Sequence, residues 1–451
     1  MWDTKDWKNL DLKEYVSKLY KDTLKDHPII KVIDWEKYDV SPTGKLAGIP
    51  FAVKDNMAVE DDPTTSASKI LKDYISPESC TIFKKLIAEG AIPVVKTNLD
   101  EFAMGGTGKT SNYFPVDNPF RIGTITGGSS SGSAYMMATN SLGFALGTDT
   151  GDSVRKPAAW LGLIGYKPTW GLVSRYGVYD FAPSWDTVSW FTNTIEEAAL
   201  ILEVLQGYDE KDFSSIDIPP TAYSEELETD RKFKVGFIPQ LEGEIHDEQI
   251  KANYLAMLKK AEDKGHELVE LDMNLNALKI IIPVYRTISS IEGFSATAAF
   301  TGFLYGSFLG KDGTFNEKVR SARTAGFDYE VKRRFLFGQE AIANQGHMYI
   351  QSMRGRTLII QELKKVFNQV DVLIHPATET LSPTIDQYIN EDFGSIIHDF
   401  YVLFNANGSP SLNLPTNKDH YHPTSIGIAA KPFDDLTLLQ FAKILEMENE
   451  K

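Results

Sequence analysis

The amino-acid sequence predicts an α/β fold in which helices cover a β-sheet. Strand-like and helix-like patterns alternate from residue 49 onward, as they do where helices pack on a sheet. Hydrophobic residues make up 42% of the 451 residues, which is ample for a sizeable core. The chain contains no internal repeat and no low-complexity tract, and α/β enzymes of this length often form one continuous body.

The first predicted elements lead up to a lysine. Residues 10–25 carry apolar side chains near helical spacing and predict an amphipathic helix. After a polar turn, residues 49–55 form a short β-rich run that reaches Lys54. Residues 79–90 predict a helix that stops at a glycine C-cap, and residues 91–98 have the pattern of a buried strand.

The middle of the chain contains two serine-rich, glycine-flanked turns. Residues 132–140 predict a helix that begins at the first turn, and residues 141–149 predict a strand that runs into the second. Farther along, residues 195–207 predict an amphipathic helix, and the polar residues 208–232 predict a surface linker. The remaining predicted elements are strands at 234–240, 266–273 and 370–376 and helices at 247–264 and 433–447.

The composition argues against several classes of function. A net charge of −16 does not suit a chain that grips nucleic acid alone, because phosphate binding needs a basic surface. If RNA is involved, a partner is expected to make most of that contact. The single cysteine, Cys80, allows neither a disulfide within the chain nor a multi-cysteine metal site. No metal site is expected.

The N-terminus and the apolar segments predict a cytoplasmic protein that does not enter a membrane. Residues 1–15 are polar and acidic, and they lack the apolar core of a signal peptide and the Arg/Ser-rich character of a transit peptide. Since no apolar run reaches about 18 residues, no membrane span is expected. An organellar location stays open as the alternative.

Nucleophilic chemistry is predicted at the second serine-rich turn. Ser153 follows a strand and a glycine-containing turn, which presents its hydroxyl at a loop. The backbone N–H groups of Thr150, Gly151 and Asp152 can converge there on one point, and such a nest stabilises an oxyanion. Because a serine hydroxyl alone is a weak nucleophile, Ser153 needs a base within hydrogen-bond reach.

The base is expected to be a lysine. The eight histidines are scattered, and the Gly-x-Ser-x-Gly elbow of α/β-hydrolases is absent around Ser153. Lys54, on an apolar strand, can act as a base if burial or positive charge lowers its pKa. Ser129, in the first turn, is placed to relay a proton between Lys54 and Ser153.

Three segments resemble the signature blocks of the amidase signature family in order and spacing: GIPFAVKDN at 48–56, GGSSSGSA at 127–134 and GTDTGDSVRKPAA at 147–159. The resemblance implies a Ser–Ser–Lys triad with Ser153 as the nucleophile, Ser129 as the bridging cis-serine and Lys54 as the base.

The resemblance also implies the overall architecture. We expect a single α/β/α body around a large mixed β-sheet that helices cover. An N-terminal helical segment at 1–40 would precede an amidase signature domain at 41–451.

Further segments at 96–106, 165–212 and 329–338 resemble one branch of that family, the A subunits of glutamyl-tRNA(Gln)/aspartyl-tRNA(Asn) amidotransferases. That likeness implies hydrolysis of glutamine and transfer of ammonia to a B subunit, which activates the mischarged tRNA with ATP, while a C subunit braces the pair. The chain has no GxxxxGK[ST] loop, so it is expected to hold no cofactor, with ATP and Mg²⁺ on the partner.

The same likeness implies three substrate-binding residues. Arg356 in MRGRTLI matches an arginine that binds the α-carboxylate of glutamine, for which a bidentate guanidinium is suited. Asp399, upstream of NANGSP, matches an aspartate that receives the α-amino group. Tyr305 in FLYG corresponds to a tyrosine of the family's RYG block.

The sequence departs from the family pattern inside the signature blocks, where Ser131 and Asp152 each replace a glycine. An extra carboxylate next to an oxyanion hole can weaken it. Two other functions therefore stay open: a stand-alone amidase of small amides, and a non-catalytic subunit whose altered loops serve only assembly.

Overall fold

A single large β-sheet organises the chain in the computed structural model of the protein, which describes residues 7–274, 279–343, 346–390 and 396–447. Within these ranges eleven strands pair in the order β1-β3-β2-β4-β6-β5-β10-β11-β9-β7-β8. Strand β2 is parallel to β3 and β4, and β7 is parallel to β8 and β9, whereas the other pairs are antiparallel. The predicted mixed sheet is confirmed.

The strands are short, mostly four to six residues each. They are β1 Ile29–Val32, β2 Pro50–Lys54, β3 Ile92–Thr97, β4 Phe144–Asp149, β5 Ile164–Lys167, β6 Thr187–Thr192, β7 Lys234–Phe237, β8 Glu267–Glu270, β9 Val372–Pro376, β10 Ser411–Pro415 and β11 Ser425–Ala430.

Helices cover the sheet, and a run of helices separates β8 from β9 in the chain. In the described residues they are α1 Leu12–Thr23, α2 Thr81–Ala88, α3 Ser131–Ala138, α4 Arg155–Leu161, α5 Ile195–Leu205, α6 Glu248–Asp263, α7 Ile281–Ala296, α8 Phe315–Gly326, α9 Tyr329–Ala343, α10 His347–Phe367, α11 Ile385–Asn390, α12 Ile396–Ala406 and α13 Asp435–Leu445. None of the helices in the described part of the chain has the length and apolar character needed to cross a membrane.

Every strand and helix predicted from the sequence is present, with ends a few residues from the expected ones. The predicted linker at 208–232 contains no helix or strand. Strands β1, β5, β6, β10 and β11 were not predicted. Strand β1 pairs with β3 at the sheet edge, so part of segment 1–40 joins the sheet; the division of the chain at residue 41 stays a prediction.

The alternating direction of side chains along β2 determines the face of the sheet on which Lys54 lies. Phe51 and Val53 are fully buried in the core cluster that also contains Phe144 of β4. Ala52 belongs to the cluster formed with α3 on the other face. Because successive strand residues point to opposite faces, Lys54 shares the α3 face with Ala52.

We expect Phe51→Ala to destabilise the protein strongly. The Phe51 ring stacks on that of Phe144 with centroids 5.0 Å apart, and Phe51 is fully buried. Truncating such a side chain leaves a cavity and costs about 3–5 kcal/mol of unfolding free energy. Denaturant unfolding followed by fluorescence measures the change. The control is Phe315→Ala, since Phe315 is 67% exposed; equal losses in both variants would contradict the packing described.

Candidate active site

Four oxygen atoms surround the ammonium group of Lys54 at the end of β2. Lys54 Nζ donates to the hydroxyls of Ser129 and Ser130, each at 2.9 Å. It also approaches the Thr148 hydroxyl at 2.8 Å and the Thr148 carbonyl at 3.4 Å. Lys54 is fully buried, and burial lowers its pKa to about 7. The structure therefore gives Lys54 the lowered pKa that a lysine base requires.

A second buried lysine lies on the next strand in a different setting. Lys96 Nζ forms an ion pair with Asp55 at 3.1 Å and donates to the Met57 carbonyl at 2.6 Å. In the parallel pair β2–β3, Lys96 lies beside Val53, so its side chain takes the face opposite to Lys54. Lys96 is a structural residue, whereas the hydrogen bonds of Lys54 go to hydroxyl and carbonyl oxygens.

The loop that carries Ser129 is fixed by an aspartate. The Gly128–Ser129 peptide bond is cis. Asp100 accepts hydrogen bonds from the backbone N–H groups of Gly108 at 3.1 Å and Thr110 at 2.9 Å. The backbone N–H of Asp100 donates to the Ser129 carbonyl at 3.2 Å. A Cβ atom at Gly128 would lie 2.0 Å from an Asp100 carboxylate oxygen, so only glycine fits there.

The two serine-rich turns meet through their backbones. The N–H of Ser130 donates to the carbonyl of Ser153 at 3.2 Å. Ser153 is 3% exposed, and its hydroxyl makes no hydrogen bond within the described ranges. The structure thus brings Ser153 beside the Lys54–Ser129 pair and leaves its hydroxyl unengaged, and catalytic hydrogen bonds are often completed only when substrate binds.

A buried ion pair holds the Ser153 loop. Arg155 donates to both carboxylate oxygens of Asp149, from Nη2 at 2.7 Å and from Nε at 3.0 Å. The same guanidinium donates to the carbonyls of Gly151 at 2.8 Å and Tyr401 at 2.9 Å, and to the Asn405 side chain at 2.6 Å. It therefore ties the loop to α12, which is about 250 residues away in sequence.

The backbone of this loop has free donors where the oxyanion hole was expected. The N–H groups of Val154 and Arg155 donate to Asp149. For those of Thr150, Gly151 and Asp152, the described residues provide no acceptor. Donors of this kind are available to a developing oxyanion. Asp152 is not among the residues with positive φ, so aspartate replaces the family's glycine without backbone strain.

Two further groups shape the same loop. The ring of Tyr285 lies against Gly151, where a Cβ atom would be 3.1 Å from it. The Thr150 hydroxyl donates to Asp186 at 2.6 Å, and Asp186 also accepts from the N–H groups of Phe181 and Ala182, each at 2.9 Å. Burial raises the pKa of Asp186 to about 7.

Asp399 lies near the point where α12 contacts the nucleophile loop, and its substrate role stays a prediction. It is on α12, two residues from the Tyr401 carbonyl that Arg155 binds. Burial raises the pKa of Asp399 to about 7, while the charges of Lys156 and Arg286 oppose the rise and that of Asp152 adds to it. Burial likewise raises the pKa of Asp152 to about 6, and Lys156 is the main charge that opposes it.

Arg356 makes structural contacts instead of presenting a free guanidinium. Its Nε donates to the Ala406 carbonyl, its Nη1 to the Ser184 hydroxyl and its Nη2 to the Ser184 carbonyl, each at 2.8 Å. The guanidinium also stacks over the Trp185 ring, 4.5 Å from its centroid. All three nitrogens are engaged, so the geometry favours a clamp that joins α10 to the end of α12 and to the loop of Ser184, and the carboxylate-binding role of Arg356 stays a prediction.

Tyr305 packs in an aromatic cluster. Its ring centroid lies 5.3 Å from that of Tyr74 and 5.2 Å from that of Phe300. No contact between Tyr305 and Lys54, Ser129 or Ser153 is found in the described part of the chain, and its substrate role stays a prediction.

The sequence patterns did not single out five residues that the structure places at the site: Ser130, Thr148, Arg155, Tyr285 and Asn405. Ser130 and Thr148 lie inside the quoted blocks, and their position next to Ser129 and to the GTDTG turn is a signal that could have revealed them. Arg155 and Asn405 also lie inside quoted blocks, GTDTGDSVRKPAA and NANGSP, whereas Tyr285 carries no such local signal. Within the described ranges, no group of three or more His, Cys, Asp or Glu residues is arranged to hold a metal ion.

A family model, Amidase, matches residues 28–439 of this chain. The chain belongs to the amidase family. The resemblance that the signature blocks indicated is therefore confirmed, and it extends over most of the sequence.

Curated relatives of this amidase-family chain include proteins named as the A subunit of glutamyl-tRNA(Gln) amidotransferase. The one from Thermoanaerobacter pseudethanolicus is 35% identical over 409 residues, which cover 90% of this chain and 83% of the relative. The one from Methanosarcina barkeri is 38% identical over 425 residues, covering 93% of this chain and 88% of the relative.

Solved structures share the fold. The protein of the same name from Thermotoga maritima superimposes with a TM-score of 0.77 at 28% identity, covering 98% of this chain and 95% of that one. A 6-aminohexanoate cyclic dimer hydrolase superimposes with a TM-score of 0.82 at 20% identity, covering 96% and 92%. At that identity the second likeness shows the fold alone.

We expect Arg155→Lys to reduce both stability and activity. Lysine cannot reproduce the forked contacts of Arg155 with Asp149, and it leaves buried acceptors unpaired. Breaking a buried pair costs about 3–5 kcal/mol. Unfolding and amide hydrolysis are measured together. As a control, Arg231→Lys at a half-exposed pair with Asp371 should change the unfolding free energy by less than about 1 kcal/mol. A stable, fully active Arg155→Lys protein would contradict the role of this ion pair.

Proposed function

We propose that this chain is the glutamine-hydrolysing subunit of a glutamyl-tRNA(Gln) or aspartyl-tRNA(Asn) amidotransferase, and that it releases ammonia for use on a partner subunit. The observation that carries the proposal is the buried Lys54, hydrogen-bonded to Ser129 beside the loop of Ser153. The names of the curated relatives support the choice of glutamine and of the tRNA amidotransferase.

The site suits a Ser–Ser–Lys mechanism. Neutral Lys54 accepts the proton of Ser129, and Ser129 accepts the proton of Ser153 as the Ser153 oxygen attacks the side-chain amide carbon of glutamine. The N–H groups of Thr150, Gly151 and Asp152 stabilise the oxyanion. One proton passes back from Lys54 through Ser129 to the leaving nitrogen, which departs as ammonia, and water then hydrolyses the γ-glutamyl ester on Ser153 and restores its hydroxyl.

The partner carries the remaining chemistry in this proposal. A B subunit binds ATP and Mg²⁺ and activates the mischarged tRNA, a C subunit braces the pair, and this chain holds no cofactor. The net charge of −16 supports an assignment of most tRNA contacts to the partner. The complex works in the cytoplasm, away from membranes.

Two other functions, those of a stand-alone amidase and of a non-catalytic assembly component, are less well supported. The likeness to a cyclic-amide hydrolase shows the fold alone. A chain retained only for assembly has no use for a fully buried lysine whose pKa burial lowers to about 7. Ser131 and Asp152, the two departures from the family pattern, leave the hydrogen bonds of Lys54 in place.

We expect Ser153→Ala to abolish ammonia release from glutamine, measured with the chain alone and co-expressed with candidate B and C subunits. Loss of a serine nucleophile lowers kcat by several orders of magnitude, about 10⁶-fold in one well-studied protease. The matched control is Ser131→Ala, because the Ser131 hydroxyl is buried with no hydrogen-bond partner.

Other results of this experiment would contradict the proposal in distinct ways. Strong hydrolysis of simple amides without any partner, lost in Ser153→Ala, would identify a stand-alone amidase. Unchanged tRNA amidation by the Ser153→Ala complex would identify a non-catalytic subunit.

We expect kcat/KM for glutamine to rise with pH through about 7 and then level off, because Lys54 must lose its proton to act as the base and its pKa is lowered to about 7 by burial. A pH–rate profile of the free enzyme measures this limb. Since burial also raises the pKa of Asp186 to about 7, the profile is repeated with Asp186→Asn. A profile that is flat, or that loses its limb in Asp186→Asn, would show that Lys54 is not the titrating base.

A further inference from the structure

The three N–H groups that the proposed mechanism assigns to the oxyanion belong to three successive peptide groups, and two of these are held at their carbonyl oxygens. The Asn405 side chain donates to the Asp149 carbonyl at 3.1 Å, which fixes the peptide group of the Thr150 N–H. Arg155 donates to the Gly151 carbonyl at 2.8 Å, which fixes the peptide group of the last N–H. Because a trans peptide group is planar, holding its oxygen also sets the direction of its N–H.

The middle peptide group, which joins Thr150 to Gly151, lacks such a bond. Its carbonyl oxygen receives no hydrogen bond within the described ranges. Gly151 has no side chain that could hold its N–H in place, and the Asp152 carboxylate accepts no hydrogen bond from the described residues. The Thr150 side chain shares its Cα atom with the middle peptide group, so a contact that holds this side chain fixes one end of that group.

Asp186 supplies this contact. The Thr150 hydroxyl donates to one carboxylate oxygen of Asp186 at 2.6 Å, and both residues are buried. The other oxygen accepts from the backbone N–H groups of Phe181 and Ala182, each at 2.9 Å. Three donors therefore hold the carboxylate in one orientation, and its hydrogen bond to the nucleophile loop comes from the Thr150 hydroxyl.

The segment that carries Asp186 is itself held on two sides. Asp186 directly precedes β6, and Thr187 of that strand pairs with Asp149 at the end of β4. Two residues before Asp186, the N–H and the hydroxyl of Ser184 donate to Glu292 of α7, at 2.9 Å and 2.6 Å. Asp186 is thus joined to the sheet and to a helix, and it offers Thr150 a fixed acceptor.

We infer that Asp186 is a positioning residue that acts through the Thr150 hydroxyl and sets the direction of the Gly151 N–H, the middle donor of the oxyanion hole. The inference rests on the proposed function, because it takes Ser153 as the nucleophile. A preorganised donor stabilises the transition state more than the bound substrate. Its misalignment therefore lowers kcat and leaves KM unchanged.

The test separates catalysis from folding with matched variants of the chain in complex with its B and C subunits. Thr150→Val removes the hydroxyl and keeps the branched shape, whereas Thr150→Ser keeps the hydroxyl. Asp186→Asn alters the same bond from its other end, so the result does not depend on the folding of one variant. The matched control is Thr169→Val, because the Thr169 hydroxyl also donates to a buried carboxylate, that of Asp435 at the start of α13. Ammonia release from glutamine and denaturant unfolding are measured for each protein.

We expect Thr150→Val and Asp186→Asn each to lower kcat for glutamine about ten- to a hundredfold with little change in KM, which is part of the roughly 10²–10³-fold loss that follows removal of a whole oxyanion donor. The double variant should be no slower than Asp186→Asn, because both changes break the same bond. Thr150→Ser should retain most of the activity. Thr169→Val should lose stability and keep the wild-type kcat, since a merely structural bond does not produce the split between kcat and KM.

An unchanged kcat in Thr150→Val, in a complex whose wild type hydrolyses glutamine, would overturn the inference. Losses that multiply in the double variant would overturn it as well, and so would a rise in KM at constant kcat, which would place the bond in substrate binding. In each of these cases the proposed function would stand. A wild-type complex that releases no ammonia from glutamine would instead remove the proposed function, and this inference with it.

Discussion

The active-site geometry depends on the burial of one lysine away from a carboxylate. A buried ammonium group without an anion is unfavourable, and the usual response of a protein is to pair it or to lower its pKa. This chain does both on neighbouring strands. Lys96 is paired with Asp55, while Lys54 is surrounded by hydroxyl and carbonyl oxygens and has its pKa lowered to about 7. The alternation of side chains along β2 and β3 separates the two.

The second constraint is the loop that follows β4, whose backbone donors must remain unpaired. N–H groups without acceptors form no hydrogen bonds that hold the loop in place, so other contacts must fix its position. The Arg155–Asp149 ion pair holds the loop. Asn405, on α12, adds a hydrogen bond from its side chain to the Asp149 carbonyl, at 3.1 Å. A buried ion pair is weak evidence for stability, but the contacts of this one connect the loop to β4 and to α12.

The sequence predicted the parts of the site whose residues lie close together in the chain, and it did not predict contacts between residues far apart in the chain. Lys54, Ser129 and Ser153 lie in compact blocks, and the blocks carry the strands and turns that orient them. Two partners of Arg155, the Tyr401 carbonyl and the Asn405 side chain, are about 250 residues away in the sequence, and no local pattern pairs them with Arg155. The same reason explains Arg356: its motif indicates a guanidinium, but only the fold shows that Ser184 and Ala406 occupy it.

The aspartate beside the nucleophile is tolerated for reasons of conformation and charge. Asp152 does not adopt a positive φ, so the loop needs no glycine there. Its carboxylate lies near the oxyanion donors, where negative charge opposes catalysis, but Lys156 lies one helical turn away and donates its N–H to the Asp152 carbonyl at 2.8 Å. Lys156 is buried and lowers the pKa of both Asp152 and Asp399 against the effect of burial. Arg286 adds to the effect of Lys156 on Asp399 alone, so the charge balance around the nucleophile loop involves Asp399 and Arg286, which lie outside the signature block, as well as Asp152 and Lys156.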